Sequence, residues 1–155
     1  MRNLWYIGIP FITATVAYLG SQFTSLGMPW YDTLARSSIT PPGFVFGLAW
    51  TIIYITATIS AILLYRSRPK DRYRRHLLLL FVFNAALNVF WTQLFFGNQM
   101  IGAGLIEIVA LLLVTTILMI MLWWRQLKLA SILLAPYVLW LCLATYLNFV
   151  VWRLN

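Results

Sequence analysis

The sequence predicts an all-α integral membrane protein: a five-transmembrane-helix bundle, one domain over residues 1–155. Three observations lead there. Hydrophobic residues make up 63% of the chain and charged ones 9%, a balance no soluble globular domain tolerates. Five apolar segments can be marked out, each near the roughly twenty residues that a hydrocarbon core requires. The alternation of barrel strands is missing, and a run such as IVALLLVTTILMIMLWW (108–124) is apolar around a whole helix.

The first helix is expected near 4–23. Arg2 and the small residues at 14–20 would also suit a cleaved signal peptide, but Trp5 and Pro10 are foreign to a signal core, so the segment reads as a retained helix. Residues 24–43 follow as the one connection long enough to fold over anything. Thr40-Pro41-Pro42-Gly43 then opens a helix near 44–65. The prolines disfavour helix before them and preset φ for the helix start, and Gly43 permits close backbone approach. The basic link RSRPKDRYRR leads to a helix near 76–96, GNQM to one near 101–124, and RQLK to one near 129–152.

The net charge of +8 has a topological meaning. Arg2, Arg66, Arg68, Lys70, Arg72, Arg74, Arg75, Arg125 and Lys128 fall on one side of a five-span chain, nine residues against Arg36 and Arg153 on the other. That bias places the amino terminus and the 66–75 link in the cytoplasm and the 24–43 loop outside. Basic residues confined to gaps between apolar runs also argue against nucleic acid as a partner. With the lack of an added targeting segment, the bias predicts a bacterial inner membrane. The lone Cys142 excludes an internal disulfide or a multi-cysteine metal site, and no cofactor or metal is expected. No fixed-period repeat is visible, so an inverted-repeat transporter is unsupported.

Lipid-facing surface needs only Leu, Ile, Val and Phe, so polar and aromatic residues at bilayer depth carry information. In the third helix Asn84, Asn88, Trp91 and Phe95 share one face; in the fifth, Pro136, Trp140, Ala144 and Asn148; in the second, Trp50, Tyr54, Ala57 and Ala61. Two readings compete for these stripes: helix packing by interhelical hydrogen bonds and small residues, or an intrabundle site in which indoles enclose a flat apolar ligand oriented by Asn88, Asn148 and Tyr54. Trp30, Trp123, Trp124 and Trp152 lie near span ends, where an aromatic belt explains them. Glu107 is the one carboxylate within a span. A charge there is costly, so it reads as protonated, hydrogen-bonded or facing a wet interior, a structural pin or a proton-coupled site. Hydrolytic triads fail, since the only histidine, His76, sits beside Arg74-Arg75 at the interface.

The segments WYDTL…TPPGFVFGLAWTIIY, LNVFWTQLFFG and APYVLWLCLATYLN resemble the TspO/MBR family of translocator and tryptophan-rich sensory proteins, and the likeness covers all five spans. The resemblance implies a five-helix bundle, often a homodimer, with a cavity under the first loop that binds porphyrins such as protoporphyrin IX and, in some members, cholesterol and synthetic ligands. It implies that Trp50 and Trp140 are the cavity tryptophans, which some bacterial relatives use for light- and oxygen-dependent porphyrin breakdown. Asn88, Trp91, Ala144 and Glu107 match further family positions. Two departures stand out. Ala103 replaces a cavity tryptophan of the mammalian proteins, and Phe149 occupies the tyrosine position of the sterol-recognition pattern, which puts sterol binding in doubt. Three activities follow as expectations: porphyrin binding, a photooxidative enzyme acting through Trp50 and Trp140, or transport of porphyrin or sterol. The loop is expected to be a lid anchored by Trp30 and Tyr31, with Pro41, Pro42 and Gly43 as its hinge, and Trp50 about 10 Å below the helix start.

Overall fold

A computed structural model describes residues 4–67 and 72–155, and the described residues are helical throughout apart from turns and one loop. The elements are α1 (Leu4–Tyr31), α2 (Gly43–Arg66), α3 (Arg72–Thr92) with a π-helical turn (Gln93–Gly97), α4 (Ile101–Trp124), α5 (Lys128–Ile132) and α6 (Ala135–Leu154). Of the nine basic residues assigned to the cytoplasmic side, Arg2, Arg68 and Lys70 lie outside the described residues.

Four helical stretches are long and apolar enough to cross a membrane: Gly43–Arg66, Tyr73–Gly97, Ile101–Trp124 and Lys128–Leu154. The protein is an integral membrane protein of all-α class. The expected fifth span, α1, is 28 residues long but is not among the four. Its second half carries Ser21, Gln22, Thr24 and Ser25, and Pro10 and Pro29 lie inside it.

Three boundaries differ from expectation. α1 continues to Tyr31 rather than ending near 23, so the loop shrinks to residues 32–42. The stretch TSLGMPWY stays helical because it lies against the π turn: a Cβ on Gly27 would sit 2.5 Å from the Phe96 carbonyl oxygen, a contact only glycine permits. The last predicted span is broken after Ile132, because Pro136, near the start of α6, has no N–H to return to that residue's carbonyl. Finally, the third span closes in a π turn, with Asn98 N–H donating to the Gln93 carbonyl at 2.7 Å. The wider turn brings both Phe95 and Phe96 into the aromatic interior.

α4 packs most extensively on α6 and then α3, while α1 lies along α3, its π turn and α2. Two apolar clusters result. One, at the loop end, centres on Ile53, Trp91, Phe95, Leu111, Tyr137 and Leu141; the other, at the basic end, on Leu64, Leu77, Leu118, Leu122 and Leu134. Hydrogen bonds set the register between helices. Thr58 donates to Thr13 Oγ1 at 2.8 Å, Asn84 to Thr115 Oγ1 at 2.7 Å, and Ser60 to the Ala130 carbonyl at 2.7 Å. Each such bond contributes only about 0.6–2 kcal/mol in a bilayer, so they select one arrangement more than they stabilise it.

Candidate functional site

A cavity of about 530 Å³ opens between α1, α2, α3 and the 32–42 loop. α2 presents Phe46, Gly47, Trp50 and Tyr54 to it, four residues at the three-to-four spacing of one helical face. α3 and its π turn add Trp91, Thr92 and Phe96. α1 supplies a wall of small and hydroxyl side chains, Ala17, Gly20, Ser21 and Thr24, closed toward the loop by Met28 and Tyr31. Arg36, Thr40 and Pro41 cover the mouth. Arg36 is the only full positive charge on this lining: its guanidinium lies 5.0 Å from the Tyr31 ring centre and pairs with Asp32 at 3.4 Å. The 32–42 loop is held from α6, since Asn155 accepts from Ala35 N–H and donates to the Ala35 carbonyl, both at 3.1 Å.

The aromatic geometry centres on Trp50. Its ring stacks on Tyr54 (5.6 Å, 26°) and lies 6.4 Å from Trp91, which in turn stacks on Phe95 at 5.8 Å. Behind Trp50 and Trp91 is a narrow crevice of about 30 Å³ bounded by Trp140, Ala144 and Asn148. Trp140 also borders a groove of about 310 Å³ on the surface between α2 and α6 and meets the Phe46 ring edge-on at 5.3 Å. Trp91 donates to Asn148 Oδ1 at 3.4 Å, and Asn148 donates back to the Ala144 carbonyl at 2.9 Å.

The structure therefore sorts the residues that the sequence grouped. Trp50, Tyr54 and Trp91 meet on the large cavity; Trp140, Ala144 and Asn148 lie on the crevice behind it. Asn88 borders neither space and is a hydrogen-bond relay, accepting from Tyr54 Oη at 3.3 Å and donating to Tyr137 Oη at 2.8 Å. Asn88→Leu is expected to lower unfolding stability by about 1–3 kcal/mol, because two hydroxyls lose their shared partner; denaturation in detergent measures it.

Two expectations need correcting, and two further residues can be placed. Trp30 and Tyr31 end α1 rather than anchoring a loop at the interface; their rings pack edge-on against Phe95 at 5.7 and 6.0 Å. Pro42 caps α2 and Pro41 lines the cavity, but a Cβ on Gly43 would meet nothing within 4 Å, so close approach does not explain that glycine. Ala103, which replaces a cavity tryptophan of the mammalian proteins, borders neither the large cavity, the crevice nor the outer groove. Glu107 is buried to 6% exposure, and neither carboxyl oxygen meets a hydrogen-bond partner among the described residues.

The α1 wall was missed by sequence reasoning. Its signal was present as small residues recurring at helical spacing, Ala17, Gly20, Thr24 and Gly27, the pattern that permits close helix approach. Chemically the site offers flat π surfaces, hydroxyl groups along one wall and one cation at the mouth. Among the described residues no group of His, Cys, Asp and Glu side chains is arranged to hold a metal ion.

An all-helical integral membrane protein with a tryptophan-walled internal cavity beneath a tethered loop is the class these features define. The chain belongs to the TspO/MBR family, whose sequence profile matches residues 7–153. It is 36% identical over 141 residues to the tryptophan-rich protein TspO of Chlorobaculum tepidum, covering 90% of this chain and 89% of that one. It is 34% identical over 126 residues to protein CrtK of Rhodobacter capsulatus (81% and 78% covered). With the human translocator protein it shares 33% over 146 residues (89% and 82% covered).

Proposed function

We propose that the protein binds porphyrins of the protoporphyrin IX type in the tryptophan cavity and serves in tetrapyrrole handling or stress signalling. The observation that carries this reading is the cavity itself: about 530 Å³, within the range of small-molecule sites, walled by Trp50, Trp91, Tyr54 and Phe96 and bearing Arg36 at its mouth. A flat macrocycle stacks on the indoles while a propionate reaches the guanidinium. The family supports the same ligand class. In this reading α1 is a fifth crossing, the amino terminus is cytoplasmic, the 32–42 loop lies outside a bacterial inner membrane, and the chain forms a homodimer.

Titrating protoporphyrin IX into the detergent-solubilised protein is expected to shift the porphyrin absorption band and quench tryptophan emission to saturation. Unchanged spectra across the titration would end the proposal.

A photochemical reading is favoured by one observation, the 6.4 Å approach of the Trp50 and Trp91 rings with Trp140 on the crevice behind them. Under illumination in air, loss of more than one equivalent of porphyrin, abolished in Trp50→Phe/Trp140→Phe, separates turnover from bystander oxidation of an indole.

A further inference from the structure

Below Tyr54 lies a second cavity, of about 100 Å³, between α1, α2 and α3. Tyr54 is the one residue that borders both it and the tryptophan cavity, so the Tyr54 ring is a partition: floor of one, ceiling of the other. The walls of the lower cavity are aliphatic or small, with Ile9, Ile53, Ala57, Ala61 and Ala85 giving it depth. Its polar groups are already engaged. Tyr54 and Tyr137 are bonded through Asn88, Asn84 donates to Thr115, and Thr13 is bonded to Thr58. Its polar side chains are few and each already holds a hydrogen bond, and such a predominantly aliphatic cavity favours apolar matter over water. An engineered cavity of about 150 Å³ takes one benzene ring, so this space admits no macrocycle. Ile12 on α1 (37% exposed) and Val82 on α3 (49% exposed) border it and leave it open at the surface between those helices, a surface that meets hydrocarbon where α1 is the fifth crossing proposed above.

We propose that the lower cavity is a lipid site that receives the end of one phospholipid acyl chain, entering sideways from the bilayer between α1 and α3. The lining contains no cationic side chain, so a free fatty acid would bury its carboxylate unpaired, whereas a phospholipid keeps its headgroup at the interface. The seated chain fills the space beneath the Tyr54 ring and supports it against Trp50, so lipid occupancy stiffens the floor of the tryptophan cavity.

The test is photolabelling in nanodiscs of phosphatidylcholine carrying a diazirine near the end of one acyl chain, followed by peptide mapping. Labelling at Ala57, Ala61 and Ala85 is expected several-fold above that at Leu113 and Ile117, which face outward from α4 at 58% and 50% exposure and report ordinary lipid contact. Ala57→Phe and Ala85→Leu, two independent ways of filling the cavity, are each expected to remove the excess while leaving α4 labelling intact. Equal or weaker labelling of the cavity residues overturns the proposal, as does an excess that survives both fillings. Crosslinks joining Ile12 or Val82 to a second copy of the chain would overturn it too, because another subunit would then cover the mouth. Protoporphyrin titration of the same nanodiscs is a separate readout, so failure of the lipid site and failure of the porphyrin reading are distinguishable.

Discussion

Gly27→Ala is expected to destabilise the protein by about 3 kcal/mol, the upper end of what overpacking a filled contact costs. The new Cβ would lie 2.5 Å from the Phe96 carbonyl oxygen, 2.7 Å from its Cβ and 2.8 Å from its carbonyl carbon. Two of those three atoms are backbone, and the backbone belongs to a π turn fixed by bonds from Asn98 to Gln93 and from Met100 to Leu94. No rotamer change relieves the clash; α1 must move away from α3. Trp30 and Tyr31, one turn further along, would then lose their contacts with Phe95 and Phe96, and the α1 wall of the cavity would go with them. Gly8→Ala is the control. Its Cβ would meet nothing within 4 Å, and removing a glycine from a helix interior gains about 1 kcal/mol. Thermal unfolding in detergent should move in opposite directions for the two variants, and a Gly27→Ala protein as stable as its parent would mean that the α1–π-turn contact is not formed in solution.

That contact marks where the sequence stops being readable. The length of the apolar runs located the helices, and the stripes Trp50–Tyr54–Ala57–Ala61 and Asn84–Asn88–Trp91 do face inward, because residues three and four apart must share a face whatever surrounds them. Tertiary contact decides the rest. TSLGMPWY has the glycine, proline and hydroxyl content of a loop, and only the groove offered by Phe96 makes it the last two turns of α1. The division of Trp50 from Trp140 was invisible for a similar reason. Each residue's helical phase is legible, but which of two spaces it faces depends on how far α6 stands from α2, and no spacing within one helix encodes that. Asn88 shows the same limit. Its placement on the inner face is sequence information, whereas its role as relay needs Tyr54 and Tyr137 to arrive from two other helices.

The separation of the two spaces makes the tryptophans unequal, and the inequality is measurable. Trp50 borders both the large cavity and the crevice, touching Tyr54, Trp91 and Tyr137 with its ring. Trp140 borders the crevice and the outer groove but not the large cavity. For a porphyrin seated in the large cavity, Trp50→Ala removes an aromatic anchor at the centre of the site, a loss of about 2 kcal/mol or more, which is about thirtyfold in affinity. Trp140→Ala removes no surface that the ligand touches and is expected to cost less than about 1 kcal/mol, about fivefold. Protoporphyrin titrations of the two variants, with circular dichroism to establish that both retain the helical fold, give the ratio directly. Equal losses would mean that the wall between cavity and crevice yields when the ligand enters, and that Trp140 is reached only in the occupied state. Direct participation of Trp140 in photochemistry requires that outcome, because its indole lies behind Trp50 and Trp91 when a porphyrin sits in the large cavity. Binding loss confined to Trp50→Ala, together with porphyrin breakdown that persists in Trp140→Phe, would assign whatever photochemistry occurs to Trp50 and Trp91.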